Sequence, residues 1–278
     1  MKDYFNYEFD LNNHDFVSCL DELPFWSAPF GIKLLEAIPI KNIRNVLDIG
    51  CGTGFPLLEI AMLLGPKSHV TGIDPWKAGL VRIRERISGY QISNVTLIEG
   101  VAENMALPSN HFDLLVSNNG INNVQNLAQT FDECNRVAKQ GAEFLWTMNT
   151  DSSFKVFYET LKNLIIEKNI KDGIANINQH IYLKRMPLDE VKSKLKASGF
   201  EIINIIESSF SYRFASGSAM FMHSFIRVAF LESWKKLVPD EQMEECFTEL
   251  EDKLNDISAR EGELRMEVPF ALFKCVKL

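Results

Sequence analysis

The sequence has few of the features that mark secreted, membrane-spanning or metal-binding proteins. Its five cysteines are scattered, odd in number and without the paired spacing of zinc sites, so we expect reduced thiols and no metal site. No stretch is long and apolar enough to cross a bilayer, and the first residues, MKDYFNYEFDLNNHDF, lack an apolar signal core. A cytoplasmic protein without a membrane partner is therefore expected.

The sequence also has fewer positively charged than negatively charged residues. The chain has 29 Lys and Arg against 37 Asp and Glu, a net charge of −8. A broad phosphate-binding face needs the opposite balance, so nucleic acid is a poor candidate as partner or substrate. The hydrophobic fraction of 46% over 278 residues is enough for a large core, and one decorated domain is the simplest organisation.

The middle of the chain alternates between strand-like and helix-like segments. The predicted strands are 44–49, 69–74, 94–99, 112–117 and 142–148. The predicted helices are 55–64, 76–89 and 124–138, the last of them ended by the glycine in Lys139–Gly141. Alternation of this kind predicts an α/β fold with a mostly parallel sheet and helices on both faces.

The two ends of the chain have a different pattern. A helix is predicted over 32–37, after the aromatic, proline-containing segment 23–31. Further helices are predicted over 154–168, 188–197 and most of 215–260 (with a break at Pro239), and strands over 200–207 and 266–276. We predict an N-terminal extension or lid at 1–40, a core of 41–214 with 263–278, and a helical insertion at 215–262. That insertion is expected to act as a lid or as a dimerisation element, so a homodimer is one expected assembly.

The most informative segment is VLDIGCGTGF, residues 46–55. An apolar strand runs through Asp48 into three glycines spaced by two, Gly50, Gly52 and Gly54, and a helix-compatible run follows. Glycine accepts backbone angles that other residues avoid, and it lets a ligand approach the main chain. A helix N-terminus also offers free N–H groups to polar ligand atoms. The segment therefore predicts a pocket for a nucleotide-type cofactor.

The spacing G-x-G-x-G, with an acid two residues before the first glycine, resembles motif I of the class I S-adenosylmethionine-dependent methyltransferases. A second strand ends at Asp74, 26 residues after Asp48, and NVTLIEGVAE and HFDLLVSN resemble the third and fourth strands. The resemblance covers roughly 40–150 and implies a Rossmann-like fold with a seven-stranded sheet. It also implies S-adenosylmethionine as cofactor, S-adenosylhomocysteine as product and a small molecule as methyl acceptor.

The resemblance also implies roles for individual residues. Asp48 is expected to help hold the ammonium end of the cofactor, and Asp74 its ribose, although Asp74 also suits an Asp-Pro turn before a helix. Family members commonly have Asp where Val101 stands; Glu103 could replace that adenine contact or be a plain surface residue. The residues assigned to the cofactor are Trp26, Asp48, Gly50, Cys51, Gly52, Gly54, Asp74, Pro75, Trp76, Val101, Ala102, Glu103 and Asn118.

Two residues are predicted to act on the substrate side. VSNNGINNV places four asparagines after the fourth strand, where α/β folds bind ligands, and we expect Asn119 to face the acceptor. His223 lies in an apolar helical run and is either a buried structural histidine or the general base. Cys51 is expected to be a small residue that fits the turn, although the helix N-terminus could lower its pKa. Trp26 and Phe30 could cover the cofactor, or clasp the N-terminal extension to the sheet.

The predicted reaction is an in-line methyl transfer, which needs alignment and exclusion of water more than a catalytic triad. Other functions remain open at this point. A cofactor-binding sensor or scaffold without transferase activity is the first alternative. A nicotinamide-dependent oxidoreductase fits the glycine spacing poorly, and a methyltransferase acting on RNA or protein fits the acidic charge poorly.

Overall fold

The structure is a computed structural model that describes residues 2–6, 8–21, 25–40 and 43–278. Leu23 and Pro24, part of the predicted aromatic segment, lie outside the described residues. The described chain forms two compact units. The first unit contains the described residues of 10–149, with Pro187–Ser208 and Phe270–Leu278. The second unit contains the described residues of 2–9, with Thr150–Met186 and Ser209–Pro269.

A single seven-stranded sheet has the strand order β3-β2-β1-β4-β5-β7-β6. The strands are β1 Asn45–Ile49, β2 His69–Asp74, β3 Val95–Glu99, β4 Phe112–Asn118, β5 Ala138–Asn149, β6 Phe200–Phe214 and β7 Leu264–Lys277. Strands β1 to β5 pair in parallel, and β7 runs antiparallel to β5. The predicted α/β sheet is therefore confirmed. The order turns back at β1 and β4, and ligands of such sheets bind where the order turns.

Helices connect the strands and fill the C-terminal half. They are α1 His14–Asp21, α2 Ser27–Ala37, α3 Leu57–Leu64, α4 Lys77–Tyr90, α5 Leu127–Val137, α6 Lys155–Glu167, α7 Gly173–Lys184, α8 Leu188–Ala197, α9 Gly217–Met222, α10 Ser224–Ile226, α11 Glu232–Lys235 and α12 Asp240–Glu261. Short 3-10 helices cover Asp3–Asn6 and Ile121–Asn123, and a π-helix covers Arg227–Leu231. None of the helices in the described ranges is long and apolar enough to cross a membrane.

The two faces of the sheet bury different side chains because successive residues of a strand point to opposite sides. On one face, Leu145 and Leu272 join an aliphatic core with residues of α2, α3 and α4. On the other face, Trp146 stacks on Phe273 with ring centroids 4.8 Å apart, and Phe131 of α5 meets Trp146 edge-on. This packing holds the carboxyl ends of β1, β2 and β4 in fixed positions.

Several predicted boundaries are wrong, most clearly between α5 and β5. The helix ends at Val137 and the strand begins at the next residue, so Lys139–Gly141 belongs to the strand and does not end the helix. Five steps along β5, from Ala138 to Glu143, match two steps along β4. Gly141, at a φ of 75°, lies within this bulge. A glycine in a bulge resembles a helix stop in sequence, since both require a left-handed residue.

Other corrections concern the ends of elements. Helix α2 begins at Ser27, five residues before the predicted start, because Pro29 lies in its first turn, where proline is tolerated. Strand β6 continues to Phe214, seven residues beyond its predicted end. The predicted helix at 76–89 begins instead at Lys77, after an extended Trp76.

The second unit is a helical cluster with its own aromatic core. Trp234 stacks on Phe157 with centroids 3.9 Å apart, and both side chains are fully buried. Helix α9 packs closely on α12, since a Cβ at Gly217 would lie 2.7 Å from Cβ of Leu254. Near the N-terminus, the hydroxyl of Tyr4 donates to the buried carboxylate of Glu251 on α12.

Candidate functional site

The glycine turn after β1 is fixed by backbone contacts to its neighbours. Gly50 N–H donates to the carbonyl of Ile73 at 2.9 Å, and Gly50 has a φ of 77°. A Cβ on Gly50 would lie 2.6 Å from Cα of Gly120, and one on Gly120 would lie 2.8 Å from Cα of Gly50. The two main chains therefore touch, and only glycine fits on either side. Gly120 follows the asparagine pair, so this contact joins the two predicted halves of the site.

Gly52 differs from its neighbours because it faces open space. It has a φ of 55°, and a Cβ built on it would meet no atom within 4 Å. Its N–H donates to Oδ2 of Asp74 at 2.8 Å. Helix α4 approaches from behind, since a Cβ on Gly79 would lie 2.5 Å from the carbonyl oxygen of Gly52. Gly52 is thus an open position in the turn, and Gly79 packs against its carbonyl group. Gly79 is a residue of this site that was not predicted from the sequence.

Asp74 has a structural role in this turn. Its Oδ1 accepts the Trp76 N–H at 2.8 Å while Oδ2 holds Gly52. Burial raises the pKa of Asp74, while its hydrogen bonds from the Trp76 and Gly52 backbones act in the opposite direction. The predicted Asp-Pro turn is present, with exposed Pro75 at its corner.

Asp48 differs from Asp74 in the surroundings of its carboxylate. Its side chain is 0% exposed, and neither carboxylate oxygen has a hydrogen-bond partner among the described residues. Burial, and then the nearby charge of Asp74, raise the pKa of Asp48 to about 8. A buried carboxylate without partners is costly when ionised. Asp48 is therefore a strong candidate to receive a cationic or hydrogen-bond-donating ligand.

The alternative of a lowered pKa for the Cys51 thiol is wrong. Burial, followed by the charges of Asp48 and Asp74, raises the pKa of Cys51 well above its usual value. Its Sγ faces β2, where a Cβ on Gly72 would lie 2.9 Å away. Any ligand contact of Cys51 must therefore come from its backbone.

Helix α1 is attached to the turn and to α4 by charged groups. Arg86 donates to Asp21 at 2.8 Å and to the carbonyl of Thr53 at 3.1 Å, and Arg82 donates to Asp21 at 3.0 Å. The Trp76 indole N–H donates to the carbonyl of Leu11 at 2.9 Å. Trp76 is therefore anchored to the N-terminal segment. These contacts were not predictable from the sequence because they join residues 33 to 65 positions apart.

The segment after β3 holds three of the predicted cofactor residues. Val101 is 46% exposed and Ala102 is nearly buried. The Glu103 Oε1 accepts the backbone N–H groups of Gln125 at 2.7 Å and Asn126 at 3.4 Å. Glu103 therefore fixes the entry to α5 and is not the plain surface residue of the alternative interpretation.

The asparagines after β4 divide into two roles. Both ends of the Asn118 amide are used: Nδ2 donates to the Ser27 carbonyl at 2.9 Å and Oδ1 accepts the Thr147 hydroxyl at 3.2 Å. Asn119, at a φ of 60°, accepts at Oδ1 from Asn122 at 2.8 Å. Its Nδ2 is buried without a partner among the described residues. Asn118 thus holds α2 to the sheet, and Asn119 keeps a donor for a ligand.

Helix α2 packs its aromatic side chains into the first unit. Phe30 is fully buried and meets Phe270 of β7 edge-on, with centroids 4.9 Å apart. Trp26 is half-buried and packs on Phe30 at 5.1 Å. Gly31 lets α2 approach the turn, since a Cβ there would lie 2.9 Å from Cζ of Phe55. Phe30 therefore acts as the clasp of the alternative interpretation.

His223 lies in the second unit, whereas the predicted cofactor residues lie in the first. It interrupts the predicted helical run: its backbone is extended between α9 and α10, and its Nδ1 accepts the Phe225 N–H at 3.2 Å. Burial and the charge of Arg227 lower the pKa of His223. The ring is thus a neutral helix cap near pH 7.

Comparison with known proteins places the chain in a family. Residues 40–196, more than half of the chain, match the methyltransferase-domain family model, and the chain belongs to that family. The resemblance stated from the glycine motif is confirmed. The chain is similar to the demethylmenaquinone methyltransferase of Listeria monocytogenes, with 36% identity over 112 residues. That match covers 40% of this chain and 47% of the relative, so the chain spans less than half of the curated protein.

Two solved structures show the same fold. One is a SAM-dependent methyltransferase from Aquifex aeolicus, at a TM-score of 0.54 and 15% identity, covering 97% of this chain and all of that one. The other is phosphoethanolamine N-methyltransferase 2 of Haemonchus contortus in complex with S-adenosyl-L-methionine. It has a TM-score of 0.58 and 16% identity, and covers 95% of this chain and 57% of that one. The Rossmann-like class I methyltransferase fold is thereby established.

Proposed function

We propose that the protein binds S-adenosylmethionine at the glycine turn of the first unit and transfers its methyl group to a small-molecule acceptor. The buried carboxylate of Asp48, which has no partner among the described residues, is the observation that carries this proposal. Gly52 adds an open position in the main chain beside it. A buried carboxyl group that can ionise as a cation approaches, together with an uncovered backbone at the end of β1, suits a ligand with an ammonium group and hydroxyls.

The residues at the turn fit this cofactor. Asp48 would hold its ammonium end, and the ribose would bind beside Asp74, whose oxygens also accept from Gly52 and Trp76. The main chain of Val101 and Ala102 would border the adenine. When bound, the cofactor supplies a methyl group already activated by the positive charge on sulfur. The protein then needs to orient the acceptor and exclude water.

On the acceptor side we propose Asn119 as the contact. Its Oδ1 is occupied by Asn122, so Nδ2 is left to donate to an acceptor oxygen. His223 is proposed as general base: its Nδ1, which accepts the Phe225 N–H, would give up that hydrogen bond to take the proton of the acceptor. A small acceptor is supported by the relatives, which are named for demethylmenaquinone and phosphoethanolamine.

Isothermal titration with S-adenosylmethionine, S-adenosylhomocysteine and NADH tests the cofactor proposal. We expect micromolar binding of both sulfur compounds and none of NADH. Asp74→Ala is expected to abolish binding, whereas Asp132→Ala, which removes an exposed carboxylate from α5, is expected to leave it unchanged.

Because Asp74 also fixes the turn, the folded state of each variant is checked by circular dichroism, and Asp48→Asn serves as the isosteric second variant. Failure of the folded wild type to bind either sulfur compound would exclude the proposed cofactor. Equal affinity of wild type and Asp48→Asn would exclude the role of Asp48.

A further inference from the structure

A cleft of about 510 Å³ lies within the second unit, and none of its lining residues has a role in the proposed function. One wall is helix α7, with His180 and Leu183, and the other is the π-helix and the residues after it, with Phe230 and Lys236. π-helical turns are often found at functional sites. The lining is mixed, since the apolar side chains of Leu183 and Phe230 stand beside polar groups.

The charges in this cleft are not balanced within it. Glu232 lines the cleft, but its carboxylate is paired with Lys235 at 2.7 Å. Lys236 also lines the cleft, and it has no ion pair with any described residue. The walls therefore present an unpaired cation, in a chain whose net charge is −8.

A second cation, Arg185, is buried beside aromatic rings that contact residues of the cleft. Arg185 follows the last residue of α7 and is 3% exposed. Its Nη1 donates to the Tyr158 hydroxyl at 3.3 Å, and its Cζ lies 5.4 Å from the Tyr158 ring and 6.0 Å from the Phe154 ring. Its Nε is buried without a partner, and no carboxylate of the described residues forms an ion pair with it. Among the described residues, the buried guanidinium of Arg185 is therefore stabilised by two π faces and a hydroxyl, without a carboxylate.

The rings that hold Arg185 contact the cleft wall directly. The Tyr158 ring lies 6.1 Å from the ring of His180, and the Phe154 ring lies 4.9 Å from that of Phe230. Burial, together with the positive charges of Arg185 and Lys184, lowers the pKa of His180 to about 4. The imidazole is therefore neutral near pH 7 and can donate one hydrogen bond without adding charge.

We propose that this cleft binds a small organic anion, a carboxylate on an apolar body. The apolar body would pack on Leu183 and Phe230, and the carboxylate would accept from His180 and Lys236, with Arg185 supplying a buried positive charge behind them. This site goes beyond the proposed methyl transfer, because its charge and shape call for an anion whether or not that anion is methylated.

The test uses 2-naphthoate and its neutral isostere 2-naphthamide, titrated calorimetrically into the full chain. We expect naphthoate to bind about tenfold more tightly, the ratio that one charge-assisted hydrogen bond provides. High salt should weaken only the naphthoate. Equal affinities, or no binding of naphthoate to folded protein, would overturn the proposal.

Variants then locate the site. Lys236→Ala should weaken naphthoate about three- to tenfold, while Lys171→Ala, the same change at an exposed residue of the second unit outside the cleft, should leave it unchanged. Arg185→Met should remove most of the preference for naphthoate over naphthamide, and Arg185→Lys should retain part of it. Should Arg185→Met fail to fold, Arg185→Lys and His180→Ala decide the outcome.

Binding of S-adenosylhomocysteine is measured on the same samples, so that loss of the cofactor site and loss of the anion site are distinguished. An equal effect of Lys236→Ala and Lys171→Ala would place the naphthoate elsewhere and refute the assignment.

Discussion

Asp48 in the first unit and Arg185 in the second are both buried without an oppositely charged partner among the described residues, and the two groups behave differently. Asp48 in the first unit can take up a proton, since burial raises its pKa to about 8. Arg185 in the second unit is a guanidinium whose charge faces the rings of Phe154 and Tyr158. Under the two proposals, the carboxylate would ionise when the cofactor arrives, whereas the guanidinium would supply a constant positive field. The comparison then separates a proposed site whose charge changes on binding from one whose charge does not.

The largest expected effect comes from Gly50→Ala, which removes the first site alone. The new methyl group would meet Gly120 at 2.6 Å, on a residue whose φ is 77°. We expect the free energy of unfolding to fall by about 3 kcal/mol from strain and overpacking. Cofactor binding should be lost, as measured by calorimetry and thermal unfolding.

The matched control is Gly262→Ala, which has a φ of 81° in the left-handed helical region but open space around it. It isolates the backbone strain, so we expect a loss of about 1 kcal/mol and normal cofactor binding. If both variants lost the same stability, the contact of Gly50 with Gly120 would not matter.

The next prediction concerns Asp48→Asn, which keeps the shape and removes the charge. Affinity for S-adenosylhomocysteine should fall about 10- to 100-fold, the range for a charged hydrogen bond. In the wild type, affinity should rise with pH up to about 8, since the ligand needs the ionised carboxylate. Titrations in buffers of different ionisation enthalpy should show proton release in the wild type only.

Asp48 also makes the stability of the ligand-free protein depend on pH. Its folded pKa of about 8 lies above its ordinary value of 3.8, so between these values the folded state holds a proton that the unfolded state has released. Its contribution to stability is full below pH about 4 and is lost as the pH rises towards about 8. Relative to Asp48→Asn, the wild type should lose melting temperature over this range, and a constant difference would contradict the assignment.

A smaller effect is expected when the same change is made in both units. Trp234→Phe removes a fully buried indole whose N–H donates to Tyr158 at 3.0 Å, and should cost about 2 kcal/mol. Trp76→Phe removes an exposed hydrogen bond to Leu11 and should cost about 0.5 kcal/mol. Urea unfolding measures the loss in free energy of unfolding for each variant. Equal losses would show that burial of the indole does not determine how much it stabilises the protein.

A smaller effect than that of Trp234→Phe is expected from Asp21→Asn, which weakens the attachment of α1 to α4. Asp21 accepts from both Arg82 and Arg86, and its carboxylate is mostly buried. We expect a loss of about 1 kcal/mol that shrinks at high salt. Glu36→Gln, which breaks an exposed pair with Lys33 in α2, is the control and should change the free energy of unfolding very little.

The sequence predicted the sheet and the glycine turn well, because both depend on local pattern. Strand β2 has the predicted bounds, and the turn lies where G-x-G-x-G places it. The contacts that complete the turn were not predictable: Gly120 touches Gly50 and Gly79 supports Gly52 only because distant segments fold together. A single sequence marks these glycines no differently from those in ordinary turns.

The second unit was predicted less completely. Helix α6 and most of 215–260 were recognised as helical, but α7 at Gly173–Lys184 was not predicted. The extended backbone at His223 and the π-helix that follows carry no sequence signal. Arg185 gave no indication of burial, since arginine is usually exposed. Its environment depends on Phe154 and Tyr158 packing around it, which pattern analysis does not determine.

The mutual contact of Gly50 and Gly120 predicts which substitutions a library of variants would tolerate. A side chain added to one glycine meets main-chain atoms of the other, and no substitution at the second position can make room for it. The pair should therefore tolerate no compensating double mutants, and selection for folding alone should keep both. Gly52, which faces open space at a φ of 55°, should under that selection accept residues that tolerate left-handed angles, chiefly asparagine and aspartate, and become restricted to glycine only when the library is selected for cofactor binding.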